Sequence, residues 1–424
     1  MIGGCLAPMG YLFSLLVVLL PFLGQIALPI GPPLLSRHIS LGVLLLIPFI
    51  VVYLCDKWPV KGLSALRPVR LGGTALFAII LLAVSLFGGG FGGAFPSLLW
   101  AILLPLLILS ARGNFRVSFG MSAYVLLSLL FSAYLVVQTL YLWHYGVLLP
   151  DGFRSDSYIF AGTELARFAD TGVPTSLFLS PDGFSLYVLP ALVFLLLWDR
   201  GGYRIFSFVS GLLITVAIGL TSSSIGIVLA LLVWAVYLLL PIAYFIMHPV
   251  DASYRFLRSG APRITLTAIA FVIGTTLISL YLIDGTAKEL IRPSFREVLS
   301  PSAVSEGFSA ALKVLTEGGH LLLGVGFGEL DAVLAALGSA PRLTLASELF
   351  LSVGVIGFCA FALLLFGLLL RCRGKFGYVL ALLLILLCLI TRPPMLPTFV
   401  FWFFLAHSVG KIEMPFRHYM RVDY

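Results

Sequence analysis

The feature that most constrains this chain is the length of its apolar runs: several stretches of about twenty residues pass almost without an ion, and the charges gather in the gaps between them. A helix pairs nearly all its backbone polar groups internally, so such runs read as α-helices in apolar surroundings. With 60% of residues hydrophobic and 10% charged, and a mean hydropathy of +1.11, the side chains offer little polar surface to cover a water-exposed domain of 424 residues. The expected fold class is all-α, a polytopic transmembrane helical bundle of about 12 spans. The candidate spans lie near 11–32, 39–55, 71–87, 94–110, 118–140, 183–198, 204–221, 225–247, 264–283, 346–370, 376–390 and 397–410.

Charge distribution orients this expected bundle. With the N-terminus inside, inner gaps collect 17 of 26 basic residues and 5 of 18 acids, so the two sides carry +12 and −4. The net charge of +8 is then mainly a topology signal, which disfavours a nucleic-acid groove. This reading makes residues 1–424 one integral membrane domain, multi-pass in a bacterial inner membrane, with both termini cytoplasmic. Two long periplasmic loops follow, 141–182 and 284–345, and the active site is expected to face the periplasm with them. Neither loop contains a cysteine, so neither offers a disulfide or a thiolate nucleophile.

The first loop opens on Tyr141, Trp143, His144 and Tyr145, residues suited to the lipid headgroup level. It continues through Arg154, Glu164 and Arg167 to Pro181, and Ser157–Ala169 reads as a short helix. The second loop carries Lys288, Arg292 and Arg296 four residues apart, with a helix start expected at Pro293. Ser305–Leu315 reads as an amphipathic helix with Phe308, Leu312 and Leu315 on one face and Glu306 and Lys313 off it. Beyond it, Gly324, Gly326 and Gly328 alternate, which permits either a close backbone turn or an anion-receiving nest.

Three segments resemble the O-antigen polymerase and ligase superfamily of bacterial inner membranes: Gly219-Leu220-Thr221-Ser222-Ser223-Ser224; His320 through Gly328; and Ser347-Glu348-Leu349-Phe350-Leu351 running into Gly354-Val355-Ile356-Gly357. The resemblance covers roughly residues 118–370. It implies transfer of a glycan from an undecaprenyl-pyrophosphate carrier, with no metal, cofactor or nucleotide sugar. The implied partners are undecaprenyl-pyrophosphate-linked glycans, membrane lipids and a chain-length regulator. Where many relatives continue the serine run into an arginine, Ser224 and Ile225 stand here. The histidine that the ligase-like subgroup carries before the last segment is missing, which favours the polymerase-like branch. Arg296 and Gly307 match an arginine and glycine pattern of that branch.

Transfer from a pyrophosphate needs cations where charge grows on the leaving phosphate, and guanidinium groups suit this because they donate parallel hydrogen bonds. Arg292 and Arg296 form the leading clamp, with Arg154 or Arg167 from the other loop, and Gly324 and Gly326 join them as substrate-binding candidates. The rival reading pairs these arginines with Asp151, Asp156, Glu289, Glu297 or lipid phosphates. Arg296 is also placed among the catalytic candidates, with His320 and Glu348 as alternative bases for the acceptor hydroxyl. The plainer roles are a backbone-bound turn histidine and an acid held by a cation or by water. Serines 222–224 suit helix packing and capping better than nucleophilic attack. No histidine or cysteine spacing suggests a metal site. A ligase acting on lipid A-core and a lipid-linked glycan flippase or transporter are the competing functions.

Overall fold

The computed structural model describes residues 6–23, 41–42, 44–49, 51, 116–146, 149, 174–178, 181–197, 204–221, 223–247, 302–326 and 345–369. Among them, the helices delimited in full are α1 (Leu6–Leu23), α2 (Val117–Tyr145), α3 (Pro181–Leu197), α4 (Arg204–Leu220), α5 (Ser224–Met247), α6 (Ser302–Glu317) and α7 (Leu345–Leu369). The chain divides into two compact units. One contains α1, α2 as far as Leu126, α6 and α7; the other contains α2 from Leu127 onward, with α3, α4 and α5.

The all-α expectation holds for the described residues, but the bundle of about twelve spans does not. Among the described residues, one helix, Val117–Tyr145, is long and apolar enough to cross a membrane. The described apolar stretches of the other helices, such as Gly183–Leu196 and Phe206–Leu220, run 10–17 residues. At ~1.5 Å per residue these fall short of the ~30 Å hydrocarbon layer. The multi-pass inner-membrane placement, with its cytoplasmic termini and periplasmic site, is corrected with the fold: the described residues are helical with one candidate span among them. Composition misled because an apolar run looks the same in sequence whether lipid or other helices surround it.

In the second unit, α3 is the helix around which the others gather. It opens with Pro181, whose missing N–H costs nothing at a helix start. Phe184, Leu189 and Leu192 are fully buried. Ser185 lies where α3 meets α5, and its Oγ is 3.1 Å from Thr221 Oγ1. A Cβ on Gly226 of α5 would come within 2.5 Å of Ser185 Cβ. Only a residue without a side chain allows that approach. Between α4 and α5, Trp234 Nε1 donates to Thr215 Oγ1 at 2.8 Å, and the indole stands edge-on to Phe208 with centroids 5.6 Å apart.

A second link holds residues 174–178 to α2. Ser176 has φ 58, a left-handed conformation unfavourable for a residue with a Cβ. Two hydrogen bonds hold it there: its N–H donates to Gln138 Oε1 at 2.9 Å, and its Oγ donates to the Phe131 carbonyl at 2.9 Å. Gln138 Nε2 donates in turn to the Leu149 carbonyl at 3.3 Å. Rings of Phe131, Phe178 and Tyr187 pack around this link, with centroids 5.1–5.7 Å apart. Gly226→Ala is expected to lower stability by about 1–3 kcal/mol, as overpacked helix contacts do. Denaturant unfolding followed through the Trp234 environment measures it; an unchanged midpoint would show that α3 and α5 separate freely.

Candidate functional site

The described part of the candidate site is built on α6 and its ending. Ala311 and Leu315 of this helix are buried, Phe308 is half-buried and Lys313 is exposed. The amphipathic helix expected over 305–315 is therefore present and longer, but its inner face runs through Phe308, Ala311 and Leu315. Leu312, expected on that face, is 48% exposed. Positions 308, 312 and 315 keep helical-face spacing as well, but the contact is centred on the side of 311, and 312 sits about 100° from 311 at the far edge of the stripe.

Two glycines end α6. The His320 N–H donates to the Leu315 carbonyl at 3.0 Å, the Gly319 N–H to the Thr316 carbonyl at 3.4 Å, and Gly319 has φ 70. This is the Schellman arrangement, in which a left-handed glycine turns the chain back over the last open carbonyls. It delivers His320 to the surface, exposed, with its ring edge packed above Gly318.

The next residues cross α7. That helix is interrupted at Gly354, where φ is 64 and ψ is −168, a backbone region open essentially to glycine alone. An interruption leaves carbonyls unpaired on one side and N–H groups unpaired on the other. Residues 321–326 pair with two groups of each set. Val325 and Gly326 N–H groups donate to the Leu351 and Ser352 carbonyls at 3.0 and 2.9 Å. Val355 and Ile356 N–H groups donate to the Leu321 and Leu322 carbonyls at 3.0 and 3.2 Å. The Gly324 N–H donates to the His320 carbonyl at 2.8 Å, which completes the close backbone turn.

The two backbones touch at their glycines. A Cβ on Gly324 would overlap the Ser352 carbonyl, and one on Gly354 would lie 2.5 Å from the Leu322 oxygen and 2.6 Å from Gly324 N. Ala311, Leu315, Val325 and Leu351 form the core beneath the crossing, with Val314, Leu321 and Phe350 against it. Phe308, Phe350 and Phe358 close its side, with centroids 5.8–6.3 Å apart.

Of the sequence-derived candidates, His320, Gly324 and Gly326 meet at this crossing. Glu348 belongs to the first turn of α7. Arg154, Arg167, Arg292 and Arg296, with the short helix expected over 157–169 and the helix start at Pro293, lie outside the described residues. The crossing joins the second resemblance segment to the third. The first belongs to the other unit, where Ser223 Oγ accepts from the Gly226 N–H at 3.1 Å and caps α5, and Thr221 Oγ1 donates to the Ile218 carbonyl at 2.7 Å. Neither a family model nor a curated protein matches the chain.

Gly354 and Ser352 were not among the residues singled out for chemistry. Ser352 is fully buried and its Oγ has no hydrogen-bond partner. The signal for Gly354 was a glycine inside a long apolar run, a position that marks close backbone approach or a break. Gly354→Ala is expected to cost at least about 2 kcal/mol, from left-handed strain added to backbone overlap. Thermal unfolding of the variant tests this; stability equal to that of the parent chain would mean the crossing opens without penalty.

Proposed function

We propose that this chain transfers a glycan from an undecaprenyl-pyrophosphate carrier to the free end of another lipid-linked repeat unit. The observation that carries the reading is the crossing at Gly324 and Gly354. Two sequence segments that resemble the polymerase and ligase superfamily interlock there through four backbone hydrogen bonds, and His320 stands exposed at the edge. A base held on so constrained a backbone needs little reorganisation to meet an acceptor hydroxyl.

In the proposed reaction, the acceptor hydroxyl oxygen bonds to the anomeric carbon as that carbon's bond to the pyrophosphate oxygen breaks. The hydroxyl proton passes to the His320 imidazole, and the bonding pair leaves with undecaprenyl pyrophosphate. Arg292 and Arg296, assisted by Arg154 or Arg167, hold the charge that grows on this leaving group. The Glu348 carboxylate is the alternative acceptor for the proton, and Gly324 and Gly326 keep the backbone beside His320 close to α7.

The deciding experiment supplies the purified full chain with lipid-linked repeat units and separates the products by length. Longer glycans still attached to undecaprenyl pyrophosphate are expected; no elongation, or transfer only to a lipid A-core, sinks the polymerase reading. Arg296→Ala should insert and fold as the parent does while losing about a hundredfold or more in rate, the size seen when one donor to a developing charge is removed. Full turnover at ordinary substrate concentration removes Arg296 from the clamp. His320→Gln should also lower the rate by about a hundredfold and abolish the rise in rate with pH that a histidine base imposes. An unchanged rate across pH rules out His320 as the base.

A further inference from the structure

From Ala123 to Leu140, helix α2 keeps its polar side chains inward. Ser128, Ser132, Gln138 and Thr139 are buried, while Ser118 and Ser122, in the first two turns, are exposed. Its exposed face carries Phe119, Leu126, Leu130, Val137 and Leu140, the last four each more than half exposed. These positions follow one another at intervals of three, four or seven residues, so they form a single stripe. No charged residue occurs between Val117 and Trp143. Only a third of the helix's apolar window is buried, which distinguishes α2 from the core helix of a packed domain.

Three of the four inward polar groups are satisfied within the protein, and Ser128 Oγ has no hydrogen-bond partner. Ser132 Oγ and Thr139 Oγ1 donate to the carbonyls four residues before them, at 2.7 and 2.9 Å, and Gln138 takes part in the link to Ser176. Polar groups inward and branched hydrocarbon outward is the arrangement that an apolar solvent selects. The dimensions agree. From Phe119 to Leu140 the stripe is about 31 Å long at ~1.5 Å per residue, against a hydrocarbon layer of ~30 Å. Each end carries what a headgroup layer accepts: the exposed cation Arg116 at one, complementary to lipid phosphate, and the exposed Trp143 and Tyr145 at the other.

We infer that the exposed stripe of α2 lies against lipid acyl chains, with the helix crossing the bilayer so that Leu130 sits near the midplane, Arg116 in one headgroup layer and Trp143 in the other. The occupant of this face is lipid; neither water nor a second protein is. The inference rests on α2 alone and stands apart from the glycan-transfer reading.

The test places a nitroxide singly at Phe119, Leu126, Leu130, Val137, Leu140 or Trp143 in a cysteine-free full chain. The protein is reconstituted in vesicles of phosphatidylethanolamine and phosphatidylglycerol. Collisional relaxation by oxygen, which concentrates in the hydrocarbon, is compared with relaxation by a water-soluble nickel chelate. Oxygen contact should peak at Leu130 and decline toward Phe119 and Leu140, while nickel contact is lost at Leu130 and returns at Trp143. Nickel contact as strong at Leu130 as at Trp143 places the stripe in water and overturns the inference. Low contact with both reagents along the whole stripe places it under protein and overturns it equally. All six positions are exposed, so the labels do not disturb a core, and no readout depends on glycan transfer.

Discussion

The crossing of residues 321–326 over the interruption in α7 is the interaction on which the candidate site depends. A broken helix in apolar surroundings exposes carbonyls and amides that have no water to turn to, and each buried orphan costs about 1–3 kcal/mol. Here two groups of each set are paired by one strand of chain, which donates to the first half of α7 and accepts from the second. The left-handed cap at Gly319 aims the chain at the break, and the glycine pair lets the two backbones close on each other. His320 is fixed from both sides, its N–H bonded to the Leu315 carbonyl and its carbonyl to the Gly324 N–H.

The other unit uses a different device for a similar problem. Its polar groups are side chains rather than open helix ends, and they are joined in short links, two buried, Gln138 with Ser176 and Ser185 with Thr221, and one half-buried, Trp234 with Thr215. Each link bridges two segments far apart in sequence, so each adds specificity of pairing to the nonspecific attraction of apolar helices. Close helix contact at Gly226 shortens the distance that these small hydroxyls must span.

Among the described residues, helix positions were largely legible in the sequence. Runs expected over 118–140, 183–198, 204–221 and 225–247 correspond to Val117–Tyr145, Pro181–Leu197, Arg204–Leu220 and Ser224–Met247. Apolar composition with Pro and Ser at the boundaries suffices for that. What surrounds each helix was not legible, and counting every apolar run as a span overshot for this reason. The break in α7 was hidden too: Gly354 lies inside the apolar stretch of a helix of 25 residues, and only its partner thirty positions earlier explains it. At the site, the alternating glycines and the histidine announced a tight turn, but the Schellman cap at Glu317–His320 went unread. So did the left-handed Ser176, because no local signal marks a serine held by a glutamine 38 residues away.

The crossing also bears on the order in which the chain can assemble. Its paired residues are separated by about thirty positions, and closing a loop of that size carries only a modest entropic charge because the cost grows with the logarithm of length. The segment from Ser302 to Leu369 holds both partners, the capped helix and the small apolar core that binds them. During synthesis, both partners of the crossing are therefore available to each other once the last turn of α7 has emerged.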